Sequence, residues 1–582
     1  MTVPSTVPSP TVAEAIASAL SRHGVEVIFG QSLPSAVILA AEAIGIRQIA
    51  YRQENMGGAM ADGYARISAK VAVVAAQNGP AATLLVPPLA EAMKASVAIV
   101  ALVQDVERNQ VDKNAFQDLD HVALFASCAK WTRRIVTADR VDDYVDAAFV
   151  AAASGRPGPA VLLLPADLLR ETAVKPKATR RAVHGRWPLD RPRPAKAAID
   201  EAALLIATAD SPVVMAGGGA MSDGAPAALA HLQEIAALPV FTTNMGKGAV
   251  DERHPLSCGV LGALVGPSSL GRQTRDIFSS ADVILQVGTR NNQNGTDSWR
   301  LIPDGARLIQ IDIDPQEIGR NYDAVRLNGD AAETLDALTA ALSRHDLARR
   351  GAGRAGLQDR IAQAWRRYEA LRRPLAGRNA GPIRPERVMD ELQPLLTPDT
   401  IVAADASYSS MWIVGQLRAL APGMRFLTPR GLAGLGWGLP LALGAKVARP
   451  QSPVVALVGD GGFAHSWAEL ETLVRMNIAL TLIVLNNGVL GYQRDAETVK
   501  FGTYTTACHF APVDHAAIAR ACGCEGVRVG EASGIRPALE AALGGSRPTL
   551  IEVMTDPDAH PPLSLYDGTL DRVEVGDHVR AS

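Results

Sequence analysis

Cysteine is scarce and unpatterned in this chain of 582 residues. The five thiols, Cys128, Cys258, Cys508, Cys522 and Cys524, are odd in number, and the nearest pair is C-x-C, not the C-x-x-C of redox and zinc sites. Buried free thiols in a reducing cytosol are the expectation, which argues against a disulfide framework. An excess of either charge is also missing: 57 Lys and Arg oppose 60 Asp and Glu, for a formal net charge of −3. That balance gives no electrostatic footing for nucleic acid or an anionic membrane surface. No apolar run reaches the roughly 18 residues that a membrane helix needs, so nothing is expected to span a bilayer. The first residues, MTVPSTVPSPTVAEA, carry neither a basic start nor a continuous apolar stretch, so no signal peptide and a cytoplasmic location are expected. Short repeats and low-complexity tracts are absent as well.

What is present is a large apolar fraction, 48% against 20% charged residues, enough for several cores. Apolar runs of strand length alternate with helical patterns from end to end. This predicts an α/β protein of three doubly wound parallel-sheet domains. The first, 1–175, has strand-like runs at 25–29, 71–76, 97–103 and 160–164. Helical patterns cover 13–23 and 81–93, the latter kinked or broken by Pro87-Pro88. A basic, proline-bearing linker, 175–194, follows. The second domain, 195–343, has runs at 213–216, 240–242, 283–287 and 308–313. A linker rich in Arg and Gly, 343–384, precedes the third domain, 384–560, with runs at 401–404, 454–458, 480–485 and 550–553; 561–582 reads as a C-terminal tail. Gly217-Gly218-Gly219 follows a strand in the second domain. The next glycine, Gly224, misses the G-x-G-x-x-G spacing, so a conventional NAD site is not expected.

The densest chemistry lies in the third domain. The strand 454–458 ends in Gly459-Asp460-Gly461-Gly462, and a helical stretch through Leu470 and Leu473 leads to a second strand that ends in Asn486-Asn487-Gly488. Two strand ends of one parallel sheet put Asp460 and Asn487, 27 residues apart, at one crevice, where open α/β sheets bind ligands. Mg2+ takes octahedral oxygen ligands, usually one or two carboxylates plus substrate phosphates. Asp460 can supply the charge, Asn487 a neutral side-chain oxygen and the peptide carbonyl of Val489 a third protein oxygen. Gly461 and Gly462 let backbone N–H groups approach a phosphate at the helix start. A bare GDG is most simply a turn with an Asp cap, but the strand, the double Asn and Gly488 together point to a magnesium-diphosphate clamp. A second constellation runs from Tyr51-Arg52-Gln53-Glu54-Asn55-Met56-Gly57-Gly58-Ala59 into Met60-Ala61-Asp62-Gly63-Tyr64-Ala65-Arg66. Its glycines and alanines let a helix pack closely on its neighbours, and Glu54 at its start, taken alone, reads as a capping carboxylate.

Both constellations resemble the thiamine-diphosphate-dependent enzymes, whose signature is GDG followed by a double Asn and whose first domain carries an ENxxxxMADGYAR-type helix. The resemblance implies that Glu54 contacts the aminopyrimidine of the cofactor. A proton shared by Glu54 favours the imino tautomer, which removes the thiazolium C2 proton, and burial in an apolar pocket tunes the carboxyl for this. It also makes Gly431-Leu432-Ala433-Gly434-Leu435-Gly436-Trp437-Gly438-Leu439-Pro440 the loop that bends the cofactor. Leu435 falls at the bulky wedge position, and the Ala433 carbonyl receives the aminopyrimidine N–H. The expected cofactor contacts are therefore Glu54, Ala433, Leu435, Asp460, Gly461, Gly462, Asn487 and Val489, with Asp460, Asn487 and Val489 as Mg2+ ligands. Gln117 is placed beside the reacting thiazolium, where a neutral amide can hydrogen-bond a carbonyl or its developing alkoxide. Gln31, Tyr408 and Arg494 are further candidates for the substrate pocket. His121 and His465 read better as satisfied interior or surface histidines.

Over about 12–556 the chain resembles acetohydroxyacid (acetolactate) synthases, through Ala115-Phe116-Gln117-Asp118, Lys130-Trp131, Ile311-Asp312-Ile313-Asp314-Pro315 and Asn486-Asn487-Gly488-Val489-Leu490-Gly491. This implies pyrimidine-binding, central and diphosphate-binding domains, in a homodimer or homotetramer with active sites between subunits. Several departures point away from a branched-chain biosynthetic enzyme. The family's G-x-R-F-D-D-R is here Gly288-Thr289-Arg290-Asn291-Asn292-Gln293-Asn294, so Asn294 replaces the Arg that holds the acceptor carboxylate. A neutral Asn offers no charge-assisted bidentate pair. Ala496 stands where a Trp shapes the acceptor pocket, and the Pro-Gly-Gly loop becomes Gly30-Gln31-Ser32-Leu33-Pro34. Arg494 is near enough in sequence to supply a replacement cation. The Asn-rich segment has some likeness to benzaldehyde lyase. Arg290 and the 312–315 strand end keep part of a structural FAD site while the altered 259–264 loop does not, so FAD stays an open alternative. The expected activity is a carboligase: decarboxylation of a 2-oxo acid and transfer of the acyl carbanion to a second carbonyl. The alternative is a lyase or 2-oxo acid decarboxylase of the aldehyde lyase or 2-hydroxyacyl lyase type. A flavin or nicotinamide oxidoreductase is opposed by the poor glycine fingerprint, and a non-catalytic scaffold by intact Glu54, Asp460 and Asn487.

Overall fold

Runs of Val, Ile, Leu and Ala that are apolar on both faces are stable only between helices, and in this chain they assemble into three all-parallel, six-stranded sheets. The computed structural model describes residues 9–174, 179–379, 381–566 and 570. The start of the expected linker at 175–178 and most of the expected C-terminal tail lie outside the described residues, as do 1–8.

The first sheet contains β1 Val27–Gly30, β2 Arg47–Ile49, β3 Ala72–Ala76, β4 Ile99–Asp105, β5 Trp131–Arg134 and β6 Pro159–Pro165, in the order β2-β1-β3-β4-β6-β5. The second contains β7 Pro212–Ala216, β8 Val240–Thr242, β9 Ser257–Val260, β10 Val283–Val287, β11 Arg307–Asp312 and β12 Ala324–Asn328, in the order β12-β11-β10-β7-β8-β9. The third contains β13 Ile401–Ala404, β14 Phe426–Leu427, β15 Val454–Gly459, β16 Thr481–Asn486, β17 Glu525–Val529 and β18 Thr549–Met554, in the order β14-β13-β15-β16-β18-β17. In each sheet the four inner strands are those expected from apolar runs, and the two edge strands are the ones the sequence pattern does not show. An edge strand is covered less completely, so β2, β5, β12 and β17 carry exposed polar residues. The edge strand β14 is only two residues long, and β9 is buried but interrupted by Gly259 at φ +78°.

The chain divides into two compact units. One holds the chain through Asp190 together with Pro429–Gln451 and Ser466–Ala479, and contains the first sheet; the other holds Arg191–Thr428, Ser452–His465 and the chain from Leu480 onward, with the second and third sheets. Pro87 and Pro88 break the 81–93 pattern as expected, into helices Pro80–Leu84 and Val86–Ala95. Most of the 343–384 segment is a 29-residue helix, Ala348–Ala376. Its arginines hide a narrow apolar stripe of Ile361, Ala364 and Tyr368, all buried. Tyr368 also donates a 2.9 Å hydrogen bond to the Gly415 carbonyl, and the Arg418 guanidinium stacks 3.8 Å over Trp365. The five cysteines remain thiols, four of them buried.

In the first unit, helix Glu54–Ser68 lies backbone to backbone on helix Gly438–Ala448. A Cβ at Gly63 would sit 2.2 Å from the Leu441 carbonyl oxygen, and one at Gly444 would sit 1.8 Å from that of Met60. Gly57 and Gly58 likewise leave room for Tyr51 and Pro88. Alanine is the better helix former by about 1 kcal/mol, so a net loss on Gly63→Ala isolates the clash. We expect Gly63→Ala to destabilise by about 1–3 kcal/mol, as overpacking does, measured as a lower urea or thermal midpoint. An unchanged midpoint would contradict the close approach.

Candidate active site

In the second unit β15 and β16 are neighbours in register, Gly459 opposite Leu485, so Asp460 and Asn487 emerge at adjacent carboxyl ends. Asp460 is buried, and its Oδ2 accepts the Gly488 N–H at 2.8 Å. Burial pushes its carboxyl up to about 6 even though the N–H groups of Gly488 and Gly461 favour the charged form. Among the described residues no Lys, Arg or His pairs with this buried carboxylate, and its bonds come from peptide donors, an arrangement suited to take a cation. Asn487 Oδ1 accepts the Val489 N–H at 3.2 Å, and the Val489 carbonyl accepts the Gly491 N–H at 2.9 Å, which leaves each oxygen a lone pair. Gly488, at φ +69°, makes this tight turn possible. The 508–510 segment pins the turn, with Leu490 N–H on the Cys508 carbonyl and Phe510 N–H on that of Gly488. A Cβ at Gly461 would meet the edge of the Phe510 ring at 2.7 Å, so a larger residue there would have to push that ring aside. Gly462 follows it in the short helix Asp460–Phe463. Among the described residues no group of three or more His, Cys, Asp or Glu forms a metal cage. One carboxylate and two neutral oxygens fit Mg2+, which completes its shell with phosphate oxygens and water.

Two other sequence candidates of this unit are occupied by partners. The buried Tyr408 hydroxyl donates to Asp495 at 2.6 Å and lies 2.7 Å from the Tyr566 hydroxyl, and burial drives its phenol far above the usual range. Arg494 pairs with Asp495 at 2.8 Å and Asp558 at 3.1 Å. Asn294 and His465 are exposed.

In the first unit the candidates again follow strand ends: Gln31 after β1, Glu54 after β2 and Gln117 in the loop after β4; Gln77, after β3, is one that sequence reading missed. Gln31 is exposed. Glu54 is the first residue of its helix and half-buried; the N-cap is Gln53, in extended conformation, and no side chain caps the helix. Glu54 thus lies in the first turn, where a carboxylate suits the helix dipole, but it is not the N-cap. The chain leading into it is held by Glu469, which sequence reading passed over as part of an apolar helix. The buried Glu469 carboxylate accepts the N–H groups of Arg52 at 3.0 Å and Gln53 at 3.2 Å and the Thr472 hydroxyl at 2.7 Å. Burial outweighs these bonds and raises its carboxyl above the ordinary value.

Gln117 adopts φ +63°, and its Oε1 accepts from Gln77 Nε2 at 2.6 Å. Asn78 Nδ2 donates to its carbonyl at 3.0 Å. Beneath it His121 is fully buried and satisfied, as expected. Nε2 accepts the Gly79 N–H at 2.9 Å, so the ring proton sits on Nδ1, which faces Asp105 at 3.1 Å. Burial alone would raise the Asp105 carboxyl, but His121 and Arg134 hold it below the ordinary range. In the loop 431–437, Ala433 is left-handed at φ +63° and exposed, and Leu435 is half-buried.

Comparison with known proteins agrees along the chain. Residues 10–124 match the N-terminal TPP binding domain of thiamine pyrophosphate enzymes, 199–338 their central domain and 405–553 their C-terminal TPP binding domain. A probable acetolactate synthase large subunit of Methanocaldococcus jannaschii is 31% identical over 96% of this chain and 94% of its own length. An acetolactate synthase of Arthrospira platensis is 32% identical over 95% of each chain. The acetolactate synthase large subunit IlvB1 of Mycobacterium tuberculosis is 31% identical over 89% of this chain and 83% of its own. With the Asp460–Asn487 strand-end pair and the Glu54 helix in place, the chain belongs to the thiamine-pyrophosphate-dependent enzymes, among their acetolactate synthase-like members.

Proposed function

We propose that this acetolactate synthase-like enzyme decarboxylates a 2-oxo acid and joins the resulting acyl carbanion to an uncharged carbonyl acceptor. The observation that carries the acceptor class is the state of Arg494. The cation that could have replaced the family's acceptor-binding Arg is already neutralised by Asp495 and Asp558, and Asn294 is neutral. Thiamine diphosphate supplies the electron sink for the carbanion left when CO2 departs. Asp460, Asn487 and the Val489 carbonyl would hold Mg2+, with the N–H groups of Gly461 and Gly462 toward the diphosphate. Glu54 would hold a proton at the aminopyrimidine ring, the Ala433 carbonyl would accept its exocyclic N–H, and Leu435 would set the bend. The Gln117 amide, steadied by Gln77, would hydrogen-bond the reacting carbonyl oxygen. Gln31 remains a candidate for the substrate pocket, and the Tyr408 hydroxyl is engaged by Asp495.

The reading extends to pyrimidine-binding (1–175), central (195–343) and diphosphate-binding (384–560) domains. It also includes a cytoplasmic homodimer or homotetramer with active sites between subunits. No helix among the described residues is long and apolar enough to cross a membrane. A structural FAD in the central domain stays open beside it, while a dinucleotide is not needed to explain the 217–219 glycine run. A Cβ at Gly217 would meet the Gly288 carbonyl oxygen at 2.4 Å, and one at Gly219 would meet the Gly288 Cα at 2.7 Å, so packing of loop on loop already accounts for the glycine run.

Product analysis with pyruvate and a panel of aldehydes tests the function: 2-hydroxyketones are expected, and free aldehyde alone would establish the decarboxylase alternative. Pyruvate and 2-oxobutyrate should be poorer acceptors than an uncharged carbonyl by about ten- to a hundredfold, the scale of one lost charge-assisted hydrogen bond. Efficient acetolactate formation that survives Arg494→Ala would refute this acceptor assignment. Glu54→Gln should keep the fold and slow exchange of the cofactor C2 proton by about 10²–10⁴-fold, followed by NMR. Wild-type exchange in that variant would remove Glu54 from the mechanism.

A further inference from the structure

The loop assigned to bending the cofactor has a sequence that cannot hold a shape by itself. Gly431, Gly434 and Gly436 give it three permissive joints, and Ala433 sits in the left-handed region, which a residue with a Cβ adopts only when its surroundings require it. The residue that imposes the conformation is Glu91, 340 positions earlier in the chain, on helix Val86–Ala95 of the same compact unit. Glu91 is 1% exposed, and its carboxylate takes three successive peptide donors of the loop. Oε1 accepts the Gly431 N–H at 2.5 Å, while Oε2 accepts the Leu432 N–H at 2.5 Å and the Ala433 N–H at 3.2 Å. A Cβ at Gly431 would lie 2.8 Å from this carboxyl group and 2.6 Å from the Glu91 carbonyl oxygen, so the position admits only glycine.

Three consecutive N–H groups converging on one anion form a nest, and hydrogen bonds to an ionised acceptor are roughly twice as strong as neutral ones. Because the donors are the peptide groups of 431, 432 and 433, the clamp orients the peptide planes that lead into Ala433. The carbonyl of Ala433 is the atom expected to meet the aminopyrimidine N–H, two residues before the Leu435 wedge.

We propose that Glu91 is a positioning residue of this enzyme: before any cofactor arrives it sets the 431–433 backbone so that the Ala433 carbonyl and Leu435 are already in their binding geometry. This rests on the reading of 431–437 as the cofactor-bending loop. Glu91 touches no reacting atom and acts only through that loop.

Hydrogen exchange of the cofactor-free protein, followed by mass spectrometry, tests the clamp without reference to activity. In Glu91→Gln one acceptor oxygen becomes an NH2 donor that faces peptide N–H groups. The 431–433 amides should then exchange about tenfold faster or more, the scale of one lost charge-assisted bond, while the sheet amides keep wild-type protection. Gly431→Ala keeps the carboxylate but displaces the loop from it, and should give the same local signature if Glu91→Gln fails to fold. Titration with thiamine diphosphate and Mg2+ follows. Both variants should bind more weakly and exchange the cofactor C2 proton more slowly, with Glu54 intact. Unchanged amide exchange overturns the clamp. Faster amide exchange with wild-type affinity and wild-type C2 exchange overturns its role in the reaction. Failure of the wild-type protein to bind thiamine diphosphate at all sinks the cofactor reading instead, and the amide exchange result stands apart from it.

Discussion

In a sheet whose strands all run one way, every carboxyl end lies at the same edge, and that constraint arranges the rest of this molecule. Residues just past those ends have no onward ladder to satisfy, so they are available to ligands. Asp460 and Asn487 are far apart in sequence but become neighbours because β15 pairs with β16. The same holds in the first sheet, where β2, β1, β3 and β4 end in the segments that carry Glu54, Gln31, Gln77 and Gln117. Neighbouring strands lie only about 5 Å apart, so strand order brings these segments to one edge of the sheet.

Burying a carboxylate is costly unless it is paired or hydrogen-bonded, and the protein resolves this in different ways at different places. Asp105 is satisfied by His121 and Arg134, which makes that cluster structural and leaves Gly79 fixed under Gln117. Glu469 and Glu91 are satisfied by peptide N–H groups, and each thereby fixes a loop, one leading into Glu54 and the other through Ala433. Asp460 accepts the Gly488 N–H, and burial raises its carboxyl to about 6.

Two non-glycine residues that matter here, Gln117 and Ala433, lie in the left-handed region. Such conformations cost about 1–3 kcal/mol each and persist only where surrounding contacts over-determine them. Gln77, Asn78 and the close approach of Gly79 supply those contacts at Gln117, and Glu91 supplies them at Ala433.

The inner four strands of every sheet were legible in the sequence because burial on both faces demands continuous apolar runs, and periodicity reports burial. The Gly459–Gly462 turn, the double Asn and the Glu54 helix were legible because tight turns and close helix contacts restrict residue type locally, as Gly63 against Leu441 illustrates. The edge strands β2, β5, β9, β12, β14 and β17 were not, since an edge is defined by what lies beside it. Neither were the partners of Tyr408 and Arg494, nor the long helix within 343–384, whose buried stripe is a small minority of its surface. Glu469 and Glu91 looked like ordinary helical carboxylates. Only the tertiary structure could decide their roles, because each role consists of hydrogen bonds to peptide groups more than three hundred residues away, and no local pattern encodes which backbone a buried side chain will meet.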